Sequence, residues 1–214
     1  MTHTFFTSDY HLDHANIIQY ANRPYIKYED LNEDMEWISE DIKNKRCQEM
    51  NMDIIKRHNA RVKEDDLVYH LGDFCFKYPH NAQYWESVLN GKIVHILGNH
   101  DKNNGVKSLI KYAIMEFGGV LFYVTHIPPE ERQVDTLESH IISRCNAILC
   151  GHVHNLWAVK KIEMWNNGCK VNKYAINVGL DVWDYQPVSI SSILKLLANL
   201  NKGKLMSEKL GEYE

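Results

Sequence analysis

Short apolar runs alternate along the chain with amphipathic stretches, a pattern that predicts mixed α/β structure. Residues 4–8 read as a strand ending at Asp9, and Ala15 to Ala21 as a short helix stopped ahead of Arg23-Pro24. Leu31, Met35, Ile38 and Ile42 share a helical face. The spacing slips at Lys43-Asn44-Lys45 and resumes at Met50, Ile54 and Ile55, which predicts two helices or one broken helix. Residues 67–71 and 93–97 are strands of the buried type, with a helix over 80–89 between them. Further strands are expected at 113–117, 120–125 and 147–150, with Gly118-Gly119 as a hairpin turn and a helix over 136–144. Two more strands fall near 157–163 and 170–178, separated by the turn Asn166-Asn167-Gly168. Ser189 caps a last helix carrying Ile193, Leu196, Leu197 and Leu200, and the tail beyond Lys202 is polar.

The polar residues directly after these apolar runs carry the chemistry. Asp9-Tyr10-His11 follows the first, Gly72-Asp73 the second, and Gly98-Asn99-His100-Asp101 the third; His126 and Gly151-His152-Val153-His154 follow two later ones. Each segment alone has a bland reading as a turn, a loop start or a core histidine. Taken together, five strand ends deliver Asp, Asn or His to the edge where open α/β sheets gather their ligand sites. Asp9, His11, Asp73, Asn99, His126, His152 and His154 offer seven donors, which with bridging oxygens suffice for two divalent cations. A His/Asp/Asn mixture without thiolates suits Mn, Fe, Ni, Zn or Co. Two aspartates and a bridging hydroxide leave such a pair with surplus positive charge, which suits a phosphoryl group.

Composition narrows the rest. The 214 residues fit one domain, and 24 Lys plus Arg against 28 Asp plus Glu give a net charge of −4, which argues against a chain that coats nucleic acid or anionic membrane. No apolar run reaches the length of a membrane span, and the N-terminus lacks the features of a secretory signal. Five cysteines without CxxC spacing point to a reduced, cytoplasmic setting.

In combination the blocks Asp9-x-His11, Gly72-Asp73, Gly98-Asn99-His100-Asp101, His126 and Gly151-His152-x-His154 resemble the calcineurin-like metallophosphoesterase superfamily over residues 4–180. Stretches such as Phe6-Thr7-Ser8-Asp9, His14-Ala15-Asn16-Ile17-Ile18, Asn22-Arg23-Pro24 and Val68-Tyr69-His70-Leu71-Gly72-Asp73-Phe74 are similar to its small single-domain bacterial and phage members. The resemblance implies a four-layer α/β/β/α sandwich; length makes 1–214 one domain, and the polar composition of the tail after about residue 203 predicts a flexible end. It implies one metal held by Asp9, His11 and His154, another by Asn99, His126 and His152, and Asp73 bridging both. It also implies direct attack on phosphorus by the metal-bridging hydroxide, with His100 at the leaving group and Asp101 orienting its ring. Mn is the metal expected to support activity in vitro.

His14, Arg23 and Asn59 are candidate substrate contacts: His14 for its spacing from His11, Arg23 for the bidentate geometry of its guanidinium, and Asn59 by likeness to the same relatives. Extra sequence around 31–48 sets the chain apart from compact members. The expected substrate is a small phosphomonoester or phosphodiester, such as a nucleotide or cyclic nucleotide. The competing readings are a nuclease of the same superfamily, disfavoured by the absence of a basic stripe, and a catalytically silent metal-binding scaffold, disfavoured by the complete ligand set.

Overall fold

A computed structural model describes residues 2–76, 78–131, 134–166 and 169–203. In chain order the elements are β1 (Thr4–Thr7), α1 (Ile17–Tyr20), α2 (Glu40–Arg61), β2 (Leu67–His70), α3 (Ala82–Val88), β3 (Lys92–His95) and β4 (Tyr112–Phe117). There follow β5 (Val120–Thr125), α4 (Thr136–Arg144), β6 (Ala147–Cys150), β7 (Val159–Asn166), β8 (Cys169–Asn177), β9 (Val188–Ser189) and α5 (Ile190–Asn201). One sheet has the order β3-β2-β1-β9 and the other β4-β5-β6-β8-β7.

Each sheet has three parallel strands at its heart: β1, β2 and β3 in the first, β5, β6 and β8 in the second. Parallel strands all point their carboxyl ends the same way, so the loops that follow them gather at one edge. A parallel bridge between Ser8 and Gly179 joins the two sheets at that edge. Phe6 and Leu71 from the first sheet meet Phe122, Val124, Leu149 and Ile176 from the second in a central core, which α5 closes with Ile193, Leu196 and Leu197. Met50 and Ile54 of α2 and Trp85 of α3 lie in a second cluster on the outer side of the first sheet. Ile142 of α4 covers the outer side of the second sheet with Tyr123, Ile148 and Ala175. The layers therefore run α/β/β/α.

The short strands match their apolar runs, and the hairpin turn at Gly118-Gly119 has positive φ at both glycines, +57° and +76°, as a two-residue hairpin requires. The segment before α2 departs from expectation. Residues 31–38 are not a helix: Leu31 bridges Trp37, and the Asn32 side chain accepts from the backbone N–H groups of Asp34 and Glu36. Asn here competes with helix by bonding nearby backbone. The helix starts only at Glu40, capped by the Ser39 hydroxyl, and runs unbroken through Lys43-Asn44-Lys45. The expected turn at 166–168 and the polar tail beyond 203 fall largely outside the described residues.

Candidate metal centre

The seven donors converge at the carboxyl edge of the two sheets. Ligand atoms of Asp9, His11 and His154 lie within 4.8 Å of one another, as do those of Asp73, His126 and His152. Asp73 Oδ2 stands between the groups, 3.5 Å from His11 Nε2 and 3.3 Å from His126 Nε2. Asn99 Oδ1 is 3.0 Å from the same His126 nitrogen, which completes the second group.

Backbone geometry is unusual here. Asp9, His11, Asp73, His152 and His154 all have positive φ, between 47° and 73°, a region that favours glycine and asparagine. The loops are held in it by cross-connections: His11 N–H donates to Asp73 O, Asp9 N–H to Gly72 O, and His152 N–H to the Asp9 carboxylate. Close approach of the loops also requires glycine. A Cβ on Gly98 would run into the Asp73 carboxylate and backbone, and one on Gly151 into Ser8 Oγ and the Asp9 carboxylate.

The outer ring of partners sets which imidazole nitrogen faces the centre. His126 Nδ1–H donates to Leu71 O at 2.7 Å and His154 Nδ1–H to Asp181 Oδ2 at 2.9 Å, so each ring turns Nε2 inward. His11 Nε2 is buried in the centre without a hydrogen-bond partner. Burial, together with the Arg23 charge and the His154, His14 and His100 rings, keeps the His11 pKa well below its ordinary value, which favours the neutral imidazole that a cation requires. Burial also disfavours the His126 imidazolium, but Asp73 and Asp9 outweigh it and raise that pKa to about 9. An orphaned imidazole nitrogen beside two carboxylates that draw positive charge is a donor set suited to cations; the residues fit a metal pair.

Three expectations about individual residues change. Asp101 does not orient the His100 ring. Its carboxylate accepts from the N–H groups of Asp73, Gly98 and Phe74 and from Asn104 Nδ2, stitching the loop after β2 to the loop after β3. Arg23 is no phosphate clamp: it is 1% exposed, and its guanidinium donates to Asp181, Tyr10 O and Asp9 O and contacts Met50 Sδ. Asn59 lies away from the centre because it binds the loop entering β3, donating to Val88 O and accepting from Asn90 N–H. His14 does reach the centre, with Nδ1 3.1 Å from His11 Nδ1 and its ring stacked on Phe76 at 3.9 Å. His100 is exposed at the rim with its ring 5.5 Å from that of His11, while its N–H donates to Asp73 Oδ1.

Asp181 is the functional residue that the motif reading passes over. It joins His154 to Arg23, and burial, which works against its carboxylate, is outweighed by the Arg23 charge, so its pKa is lowered. The signal was present: Gly179-Leu180-Asp181 follows the last long strand just as Gly72-Asp73 follows an earlier one.

Fold and donor set define a site with two His/Asp groups that could each hold a metal ion. Residues 50–180 match the calcineurin-like phosphoesterase superfamily domain. The chain is 32% identical over 208 residues to the uncharacterized protein MJ1445 of Methanocaldococcus jannaschii, covering 96% of each. It belongs to the calcineurin-like phosphoesterase superfamily. A protein of unknown function from Aquifex aeolicus, AQ665, shares the fold with a TM-score of 0.60 at 22% identity, over 92% of this chain and all of that one. A conserved uncharacterized protein from Streptococcus pneumoniae TIGR4, a predicted phosphoesterase, aligns with a TM-score of 0.37 at 14% identity, over 83% of this chain and 72% of that one. Among the described residues, no helix is long and apolar enough to cross a membrane.

Proposed function

We propose that the protein hydrolyses small phosphomonoesters or phosphodiesters, nucleotides among them, in the cytoplasm, using two divalent transition-metal ions from the set Mn, Fe, Ni, Zn and Co. The observation that carries this reading is Asp73 Oδ2 poised between His11 Nε2 and His126 Nε2, at 3.5 and 3.3 Å. When bound, the metal pair supplies Lewis-acid activation of water and neutralises charge developing at phosphorus.

The chain's own residues do the remainder. Asp9, His11 and His154 would hold one ion, and Asn99, His126 and His152 the other, with Asp73 available to both. Asp181 fixes the tautomer of His154 and Leu71 O that of His126, so neither ring can turn away. His100, exposed at the rim and tethered through its N–H to Asp73, is placed to give a proton to the leaving oxygen. His14, stacked on Phe76 beside His11, forms the neighbouring wall where a phosphoryl oxygen or its ester group would lie. The net charge of −4 supports a small ester over a nucleic-acid backbone as the substrate.

Mn²⁺-loaded protein is expected to hydrolyse p-nitrophenyl phosphate or bis(p-nitrophenyl) phosphate and to lose turnover on chelation. His100→Ala should lower kcat by roughly 10²–10⁴-fold without lowering metal content. Protein that takes up two equivalents of metal and turns over neither ester refutes the reading.

A further inference from the structure

A cavity of about 380 Å³ opens beside the second ligand group, sharing Asn99 and His126 with it. Its lining also includes Leu97, Ile127 and Tyr112, which are largely apolar, and the charged residues Lys102, Lys111, Asp101 and Glu138. The volume is that of a small-molecule site, where apolar walls hold the body of a ligand and a few polar groups fix its orientation. Tyr112 is 41% exposed and its ring is stacked on Tyr123 at 5.3 Å, so one aromatic platform is already braced by another.

The cavity lining carries two ammoniums, Lys102 and Lys111, and two carboxylates, Asp101 and Glu138, and the carboxylates are the pair already engaged by protein donors. Asp101 is occupied by four N–H donors, and Glu138 accepts the Tyr123 hydroxyl. Lys102 and Lys111 are exposed, and among the described residues neither makes an ion pair or hydrogen bond. An ammonium on a flexible stem is a point-charge binder of phosphate. Lys107, in the same loop, lines a different hollow with Val106, Ser108, Leu109 and Ile110.

We infer that this cavity is the specificity pocket for the part of the substrate that is not attacked, and that this part is a nucleotide bearing a second phosphate. Its planar base lies on Tyr112 and its second phosphate between Lys102 and Lys111. The inference rests on the phosphoesterase reading for the reacting end but adds a separate claim about binding.

The test is calorimetric binding of adenosine 3′,5′-bisphosphate and of adenosine 5′-monophosphate, with and without Mn²⁺, to His100→Ala protein so that the ligands survive. The bisphosphate is expected to bind at least about tenfold more tightly than the monophosphate. That preference should persist without metal, vanish in Lys102→Met/Lys111→Met, and remain in Lys107→Met. Tyr112→Ala should weaken both nucleotides but not ribose 5-phosphate. Equal affinity for the two nucleotides, or an equal loss in Lys107→Met, overturns the pocket assignment. Because the preference is read as binding and without metal, a wild-type protein inactive on aryl esters would count against the phosphoesterase reading alone.

Discussion

Asp181→Asn separates the two duties of one buried carboxylate. The change keeps the side chain's shape but removes the charge that Arg23 meets through Nε at 2.9 Å and Nη2 at 3.2 Å. Both partners are essentially enclosed, with side-chain exposures of 0% and 1%, so water cannot take the place of the missing charge. Leaving one member of such a pair alone typically costs about 3–5 kcal/mol. At roughly 2–4 °C per kcal/mol for a chain of this size, the midpoint of thermal unfolding should fall by roughly 6–20 °C. Urea titration of metal-free protein measures this part alone. The second duty concerns His154, whose Nδ1–H would face an amide, either its oxygen or its NH₂, in place of a carboxylate. Loss of an outer-shell partner of this kind typically lowers metal affinity by about 10–100-fold, which calorimetric Mn²⁺ titration reads separately. Arg23→Met combined with Asp181→Leu should recover part of the stability, since no charge is then stranded, though Asp9 O and Tyr10 O lose their donors. A metal-free stability change below about 1 kcal/mol, together with unchanged metal affinity, would refute the anchoring role.

Three further outcomes are expected. Gly98→Ala forces Asp73 and its backbone aside, so bound metal measured by atomic emission should fall below two equivalents even where the protein stays folded. Asn59→Ala should leave ester turnover within about twofold, because the side chain ties α2 to the loop before β3, but should lower stability by about 1–3 kcal/mol in urea titration. His58, whose Nε2–H donates to Asn90 O and whose Nδ1 accepts from the Tyr10 hydroxyl, has its pKa pulled by burial from 6.5 to about 4. The unfolded chain therefore binds the extra proton first. Stability from this residue is complete above pH 6.5 and declines as the pH falls towards 4, by about 3 kcal/mol in all. The penalty of His58→Gln, measured by urea unfolding, should accordingly shrink between pH 8 and pH 4.5; a constant penalty would rule out the buried neutral ring.

The strands and the site were legible in the sequence for one reason: apolar runs in parallel strands must be buried, and the polar residue that ends each run must then lie at the common edge. Asp9, Asp73, Asn99, His126 and His152 follow from that logic alone. The long helix did not, because much of its buried face is polar. Arg46, Asn51 and His58 turn inward beside Cys47, Met50 and Ile54, so a count of apolar positions breaks where the helix does not. Arg46 is held by Asp30 at 2.7 and 2.9 Å, a partner in the preceding turn that no periodicity discloses. The same blindness applies to Arg23 and Asp101. Their residue types suggested contact with substrate or with a catalytic ring, whereas their donors and acceptors are consumed inside the scaffold.

The left-handed backbone at five aspartate and histidine ligands has an evolutionary corollary. Each such residue costs of order 1–3 kcal/mol relative to a relaxed conformation. Glycine would relieve that cost at every one of these positions while erasing the donor. A library selected only for thermal robustness, with no demand for chemistry, should therefore gather gains at those very positions.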